Sequence, residues 1–239
     1  MAIRDGATVD MPASRGGYHH GDLRHAMIDA AEAVLAEKGV GGFTLRECAR
    51  RAGVSPAAPA HHFGNLVGLL TVIATLGFDD LSDAMEQAAD RASLAGESRL
   101  AAIARAYLAV ALARPGRFRV VFGQRGLDWD APDFKRAASR AFGVLVAETQ
   151  AHLAGVEPAT SAPLSAPPDA AVAADLPAIL FVWSVTHGFS TLLIDGQLDF
   201  LAGEAGRAAM LDLYANRLVR LLVAAVADGE GLAKAPGDH

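Results

Sequence analysis

The chain has 239 residues, of which 52% are hydrophobic and 20% charged, a globular balance that excludes a disordered chain and permits a sizeable core. Its single cysteine, Cys48, excludes an internal disulfide framework and fits a reducing cytoplasm. A net charge of −6 argues against nucleic acid at first sight, yet all of it falls in residues 66–239, while residues 1–65 hold seven basic and seven acidic side chains.

Taken in order, residues 1–17 read as a disordered polar tail. A helix is expected from Asp22, as N-cap, to Lys38, because Met27, Ala30, Ala31, Val34 and Leu35 recur at helical spacing and Gly39 stops the run. Thr44 caps a second helix, and Glu47 three residues later completes a capping box. The helix ends at Gly53. Ser55 then caps a third helix with Pro56 in its first position. Pro59, one turn on, lacks the N–H that would bond the cap carbonyl, so a tight or distorted start is expected there.

Asn65 caps a long fourth helix carrying Leu69, Leu70, Ile73, Leu81 and Met85. Glu97 or Ser98 opens a fifth, Pro115-Gly116 ends it, and a short sixth covers 117–122. Pro132 or Asp133 starts a seventh, to about Leu153. Residues 157–168, with four prolines, read as a mobile loop. Asp169 caps an eighth helix with Pro177 as a kink, and Gly203 or Glu204 opens a ninth to about Val226. This is an all-α chain of about nine helices, with a three-helix domain at 18–65, a larger domain at 66–228 and a tail at 229–239. The eighth and ninth helices are apolar on more than one face, so a second copy of the chain is expected to cover them.

The second and third helices carry the functional signal. Ala49 is small enough for a close crossing, Gly53 sits in the turn, and Val54 and Phe63 lie beneath. A pair built this way can set its second helix in the major groove of DNA, although plain structural hairpins share the pattern. No nucleophile with its base, carboxylate pair or glycine-rich phosphate loop stands out, so no enzyme is expected, and no cofactor. His19-His20 and His61-His62 have no further ligand at metal spacing, so no metal is expected. No apolar run reaches the length of a membrane span, Ile179–Ile194 being broken by Ser184, His187 and Ser190; no membrane partner is expected, and with no apolar segment near Met1 the location expected is cytoplasmic. Cys48 faces inward as an inert thiol.

Gly21-Asp22-Leu23, Gly39, Phe43-Thr44-Leu45-Arg46, Ala52-Gly53-Val54-Ser55 and His61-His62-Phe63, in that order, resemble the N-terminal domain of TetR-family transcriptional regulators. Trp183 with His187-Gly188, and the run Pro115 to Phe122, resemble the TetR-type C-terminal domain named for its Trp-His-Gly residues. The resemblance implies a dimer on a palindromic double-stranded operator, released by a small-molecule effector. It implies that Thr44 and Arg46 meet the DNA backbone, that Ser55, Ala57 and Ala58 face base edges, and that His61 and His62 reach phosphate or base. Asn65 opens a helix whose N–H groups can meet a phosphate. In two places the chain departs from the family pattern: Ala60 stands where Tyr is frequent, and Leu66 where Lys or Arg donates to phosphate.

An effector site would lie among the aromatic side chains of the larger domain. Phe78, Tyr107, Phe122, Phe142 and Trp183 are the candidates, with His187 as the polar one. Each reads equally as core packing, and His187 as a hydrogen-bonded core histidine.

Overall fold

The computed structural model describes residues 20–123, 126–156, 170–202 and 206–227. Both expected tails, the 157–168 loop and the Asp169 cap lie outside them. Among the described residues there are helices and no strand: α1 His20–Lys38, a 3-10 turn Val40–Gly42, α2 Leu45–Arg51, α3 Ala58–Phe63, α4 Leu66–Ala95, α5 Arg99–Ala113, α6 Pro115–Phe122, α7 Pro132–Ala154, α8 Ala170–Ile194, α9 Asp199–Ala202, α10 Gly206–Leu213 and α11 Val219–Ala227. That makes eleven α-helices where about nine were expected. A π turn, Tyr214–Leu218, divides the expected ninth into α10 and α11 and carries Tyr214 fully into the core. The four-residue α9 is too short to show a period in sequence.

The local signals explain most boundaries. α1 stops where Gly39 takes a positive φ of 63°, although it begins at His20, so Asp22 stands inside the helix and is not its cap. α2 ends in a Schellman motif: Val54 N–H reaches Ala49 O at 3.0 Å and Gly53 N–H reaches Arg50 O at 3.3 Å, with Gly53 left-handed at φ 68°. Ser98 caps α5, accepting from Ala101 N–H at 3.2 Å. Pro115 does not precede α6 but forms its first residue.

The third helix starts later than expected. Its first residue is Ala58, with Ala57 before it, and Ser55 makes no side-chain cap. Pro59 is the cause. With no N–H there, the Ser55 carbonyl takes the Ala58 N–H at 3.0 Å instead, so the chain enters through a tighter i→i+3 turn.

α4 is the spine, 30 residues or about 45 Å long. Its first half joins Met27, Val34 and Leu35 of α1, Cys48 and Ala49 of α2 and Phe63 of α3 in one cluster, closed from outside by Val120 of α6, Leu127 and Phe134 of α7. Its second half, with Leu81 and Met85, packs with α5, α6, α7, α8 and α11. Cys48 is fully buried in the first cluster, and burial pushes its thiol up to about 11, so it is inert at neutral pH.

α6 bridges the two clusters. A side chain at Gly116 would stand 3.0 Å from the backbone of Leu35 on α1, and one at Gly77 would strike Val121, so α6 lies against both α1 and α4 only because these positions are glycines. Arg117, 8% exposed, ion-pairs with Glu32 of α1 and Asp80 of α4. Arg114 adds a 3.1 Å contact to Glu32.

α8 corrects one expectation. It is long and apolar enough to cross a membrane by length and composition, because Ser184, Thr186, His187 and Ser190 are polar but uncharged and hardly lower its mean hydropathy. It packs here against α5 and α7, burying Val172, Ile179, Val182 and Leu193 and leaving Leu180 and Leu192 exposed.

Candidate functional site

Two places concentrate the candidate residues. The first is the outer surface of α2, α3 and the start of α4. Thr44 caps α2, its Oγ1 accepting from Glu47 N–H at 3.2 Å. The capping box is only half formed, because the Glu47 carboxylate does not turn back to Thr44. It takes Lys38 Nζ at 3.0 Å, Arg50 Nε and a terminal nitrogen at 2.8 Å each, and Arg51 Nε at 3.3 Å. The Arg50 guanidinium foremost, with Lys38 and Arg51, holds Glu47 well below the usual carboxylate range. Arg51 also forks onto Glu37, at 2.7 Å through one nitrogen. Most cations beside this surface are therefore already matched by acids.

Two are not: Arg46, and Arg24 of α1 above the Phe63 ring, are exposed and make no ion pair among the described residues. Thr44, Ser55, Ala57, His61 and Asn65 are exposed with them, as is Ala60. Ala58 and His62 are half-buried, His62 tilted against the Phe63 ring at 6.3 Å. Asn65 caps α4, its Oδ1 accepting from Gly68 N–H at 3.0 Å, and Leu66 follows 37% exposed. Six of the eight candidate residues are thus exposed, and Ala58 and His62 are partly buried.

The second place is a cavity of about 670 Å³ between α4, α5, α6, α7 and α8. Phe78, Tyr107, Phe122, Phe142, Trp183 and His187, from five different helices, all line it. The Tyr107 hydroxyl lies 2.8 Å from His187 Nδ1. The imidazole stacks on Phe118 at 5.4 Å and meets Phe122 edge-on at 4.7 Å. Burial pushes the Tyr107 phenol up, partly offset by the neighbouring Trp183 indole, and it holds His187 below its ordinary value. His187 is thus both a bonded core histidine and part of a cavity wall. Sequence reasoning missed Thr186 and Met85 as further lining. Thr186 was a readable omission, being three residues from Trp183 on the same helix; Trp129, one of the chain's aromatic residues, joins the lining from the loop before α7.

Comparison with known proteins joins the two places. Residues 27–73 match the family described as bacterial regulatory proteins, tetR family, and residues 100–218 match a tetracyclin repressor-like C-terminal domain. The chain belongs to the TetR family of transcriptional regulators. It carries that family's helix-turn-helix DNA-binding domain. The HTH-type transcriptional regulator BetI of Rhizobium meliloti (strain 1021) is 44% identical over 70 residues, 28% of this chain. That match spans about a third of the curated relative, 34% of its length. A Rhodococcus sp. RHA1 protein of unknown function is 31% identical with a TM-score of 0.59, over 92% of this chain and all of that one. A TetR family regulator from Marinobacter aquaeolei VT8, at 19% identity and a TM-score of 0.55 over 87% and 95% of the two chains, shares the fold.

Proposed function

We propose that this TetR-family chain is an effector-responsive repressor that binds a palindromic operator as a homodimer in the cytoplasm. Thr44, Arg46 and the exposed edge of α3 would meet the DNA, one half-site per subunit, about 34–36 Å or one helical turn apart. Trp183, His187 and Gly188 lie within the matched C-terminal region, in keeping with the Trp-His-Gly type. The dimer face would be α8 with α11, whose Leu180, Leu192 and Leu221 point outward.

One observation carries the effector-responsive reading. α6 forms a wall of the cavity through Val121 and Phe122 and, one turn earlier, touches α1 through Gly116 and Arg117. A molecule that favours one position of Phe122 would thereby favour one placement of α1. For this to release DNA, the effector must bind the two conformers with different affinity.

The test is binding to the DNA upstream of the chain's own coding region as salt is varied. Saturable binding at about 50 mM salt that weakens steeply by 200 mM supports the reading, and no binding at the lower salt sinks the operator function. A second reading, a scaffold that senses ligand without gripping an operator, is favoured by Leu66 and by the acids that occupy Lys38, Arg50 and Arg51. Loss of DNA binding with a functional cavity would establish it.

A further inference from the structure

The chemistry of the cavity wall selects among effectors. None of the described residues lining it is Asp, Glu, Lys or Arg. The guanidinium of Arg117, one turn before the lining residue Val121, is committed to Glu32 and Asp80. A charged molecule entering would lose its hydration and find no counter-charge, whereas an uncharged aromatic molecule would exchange water for Phe78, Phe122, Phe142 and Trp183.

The polar groups are few and lie together. The Tyr107 hydroxyl has no other acceptor among the described residues, so its proton is directed at His187 Nδ1, 2.8 Å away. An imidazole that accepts at Nδ1 carries its proton on Nε2. The lowered proton affinity of buried His187 agrees with this neutral form. Nε2 has no partner among the described residues, so the wall presents one N–H donor. Thr186, next to it in the chain, is 3% exposed and turns its hydroxyl toward that of Tyr214 in the core, so His187 Nε2–H is left as the donor of this wall.

We propose that the cavity binds an uncharged, largely aromatic molecule carrying an oxygen acceptor at one end, with that oxygen held by His187 Nε2–H. The proposal rests on the effector-responsive reading only for what binding does afterwards, not for binding itself. An ammonium group, which aromatic walls can attract, is disfavoured because the polar end offers a donor and no carboxylate.

Both tryptophans of the chain, Trp129 and Trp183, line the cavity, so quenching of their fluorescence in the full-length protein reports occupancy without DNA. Four probes share one skeleton: 4-acetylbiphenyl, biphenyl, biphenyl-4-carboxylate and 4-biphenylyl-trimethylammonium. The ketone should bind best, biphenyl about tenfold more weakly for want of the hydrogen bond, and both ions at least about tenfold more weakly again. His187→Phe should reduce the ketone to the level of biphenyl while biphenyl itself holds, and His187→Gln, which keeps an N–H, should restore part of it. The proposal is overturned if either ion binds as tightly as the ketone, if no probe quenches saturably, or if the ketone is indifferent to position 187. A ketone that binds as stated but leaves operator binding unchanged upholds the proposal and removes the effector-responsive reading instead.

Discussion

On the outer face of the helix-turn-helix, Lys38, Arg50 and Arg51 lean on Glu37 and Glu47, all within reach of solvent. Around the cavity no charged side chain among the described residues is in contact, and the Tyr107 hydroxyl meets His187. Salt therefore acts on the first region, where exposed pairs are screened and each is worth little. It should hardly touch the second, whose selectivity comes from desolvation and hydrogen bonding. The two regions also depend differently on distance along the chain. The helix pair is held by caps and turns a few residues apart, and the cavity by side chains from Phe78 to His187.

The largest effect is expected where this division fails. Phe134 stands on α7 yet closes the cluster under α1 to α4, at 1% exposure. Phe134→Ala should lose about 3–5 kcal/mol of unfolding free energy, read by urea denaturation, and should weaken DNA binding as well. A loss confined to ligand binding would restore the division. Next, Arg117→Met leaves Glu32 and Asp80 facing each other with only Arg114 between them. Because both acids are partly exposed, the cost should fall at about 2–3 kcal/mol, below that of a deeply buried pair.

Two surface changes sharpen the comparison. Glu47→Gln should release Lys38 and Arg50 for phosphate and tighten DNA binding, and Leu66→Lys should add a contact of its own. Each freed or added contact should steepen the slope of log affinity against log salt by about 0.9. An unchanged slope would place those positions away from the DNA. Ligand binding should not change in either variant.

The smallest effect concerns pH. Burial holds His187 below its ordinary value of 6.5. The unfolded chain then takes up a proton before the folded chain does. Stability linked to this group is complete above about pH 6.5 and declines as pH falls below it, until the folded imidazole protonates too. Comparison of the wild type with His187→Gln across pH 5 to 8 isolates this decline, which the variant should lack.

The sequence made the two regions legible to different degrees. Caps and stops such as Thr44, Gly53 and Asn65 state their role within four residues, so the helix pair and most helix ends could be read directly. The exceptions were competitions decided in space: Glu47 has three cations in range and abandons Thr44, and Tyr214 enters the core through a π turn that no local pattern announces. The six cavity candidates were legible as a set, because aromatic residues and one histidine in apolar helices are conspicuous. Which of them converge, and that Thr186 joins the lining, depends on how α5, α6 and α8 cross.

The crossing of α6 over α1 bears on how such chains can be recombined. The DNA-reading segment is not a detachable cassette. A graft of foreign residues ahead of α4 would have to offer Gly116 a flat backbone at the position of Leu35 and an acid to Arg117 at the position of Glu32. A transplanted head that matches the operator but lacks these would leave a buried guanidinium short of one counter-charge and α6 without its seat. Specificity for DNA can thus be exchanged between relatives only together with the few residues of α1 that α6 touches.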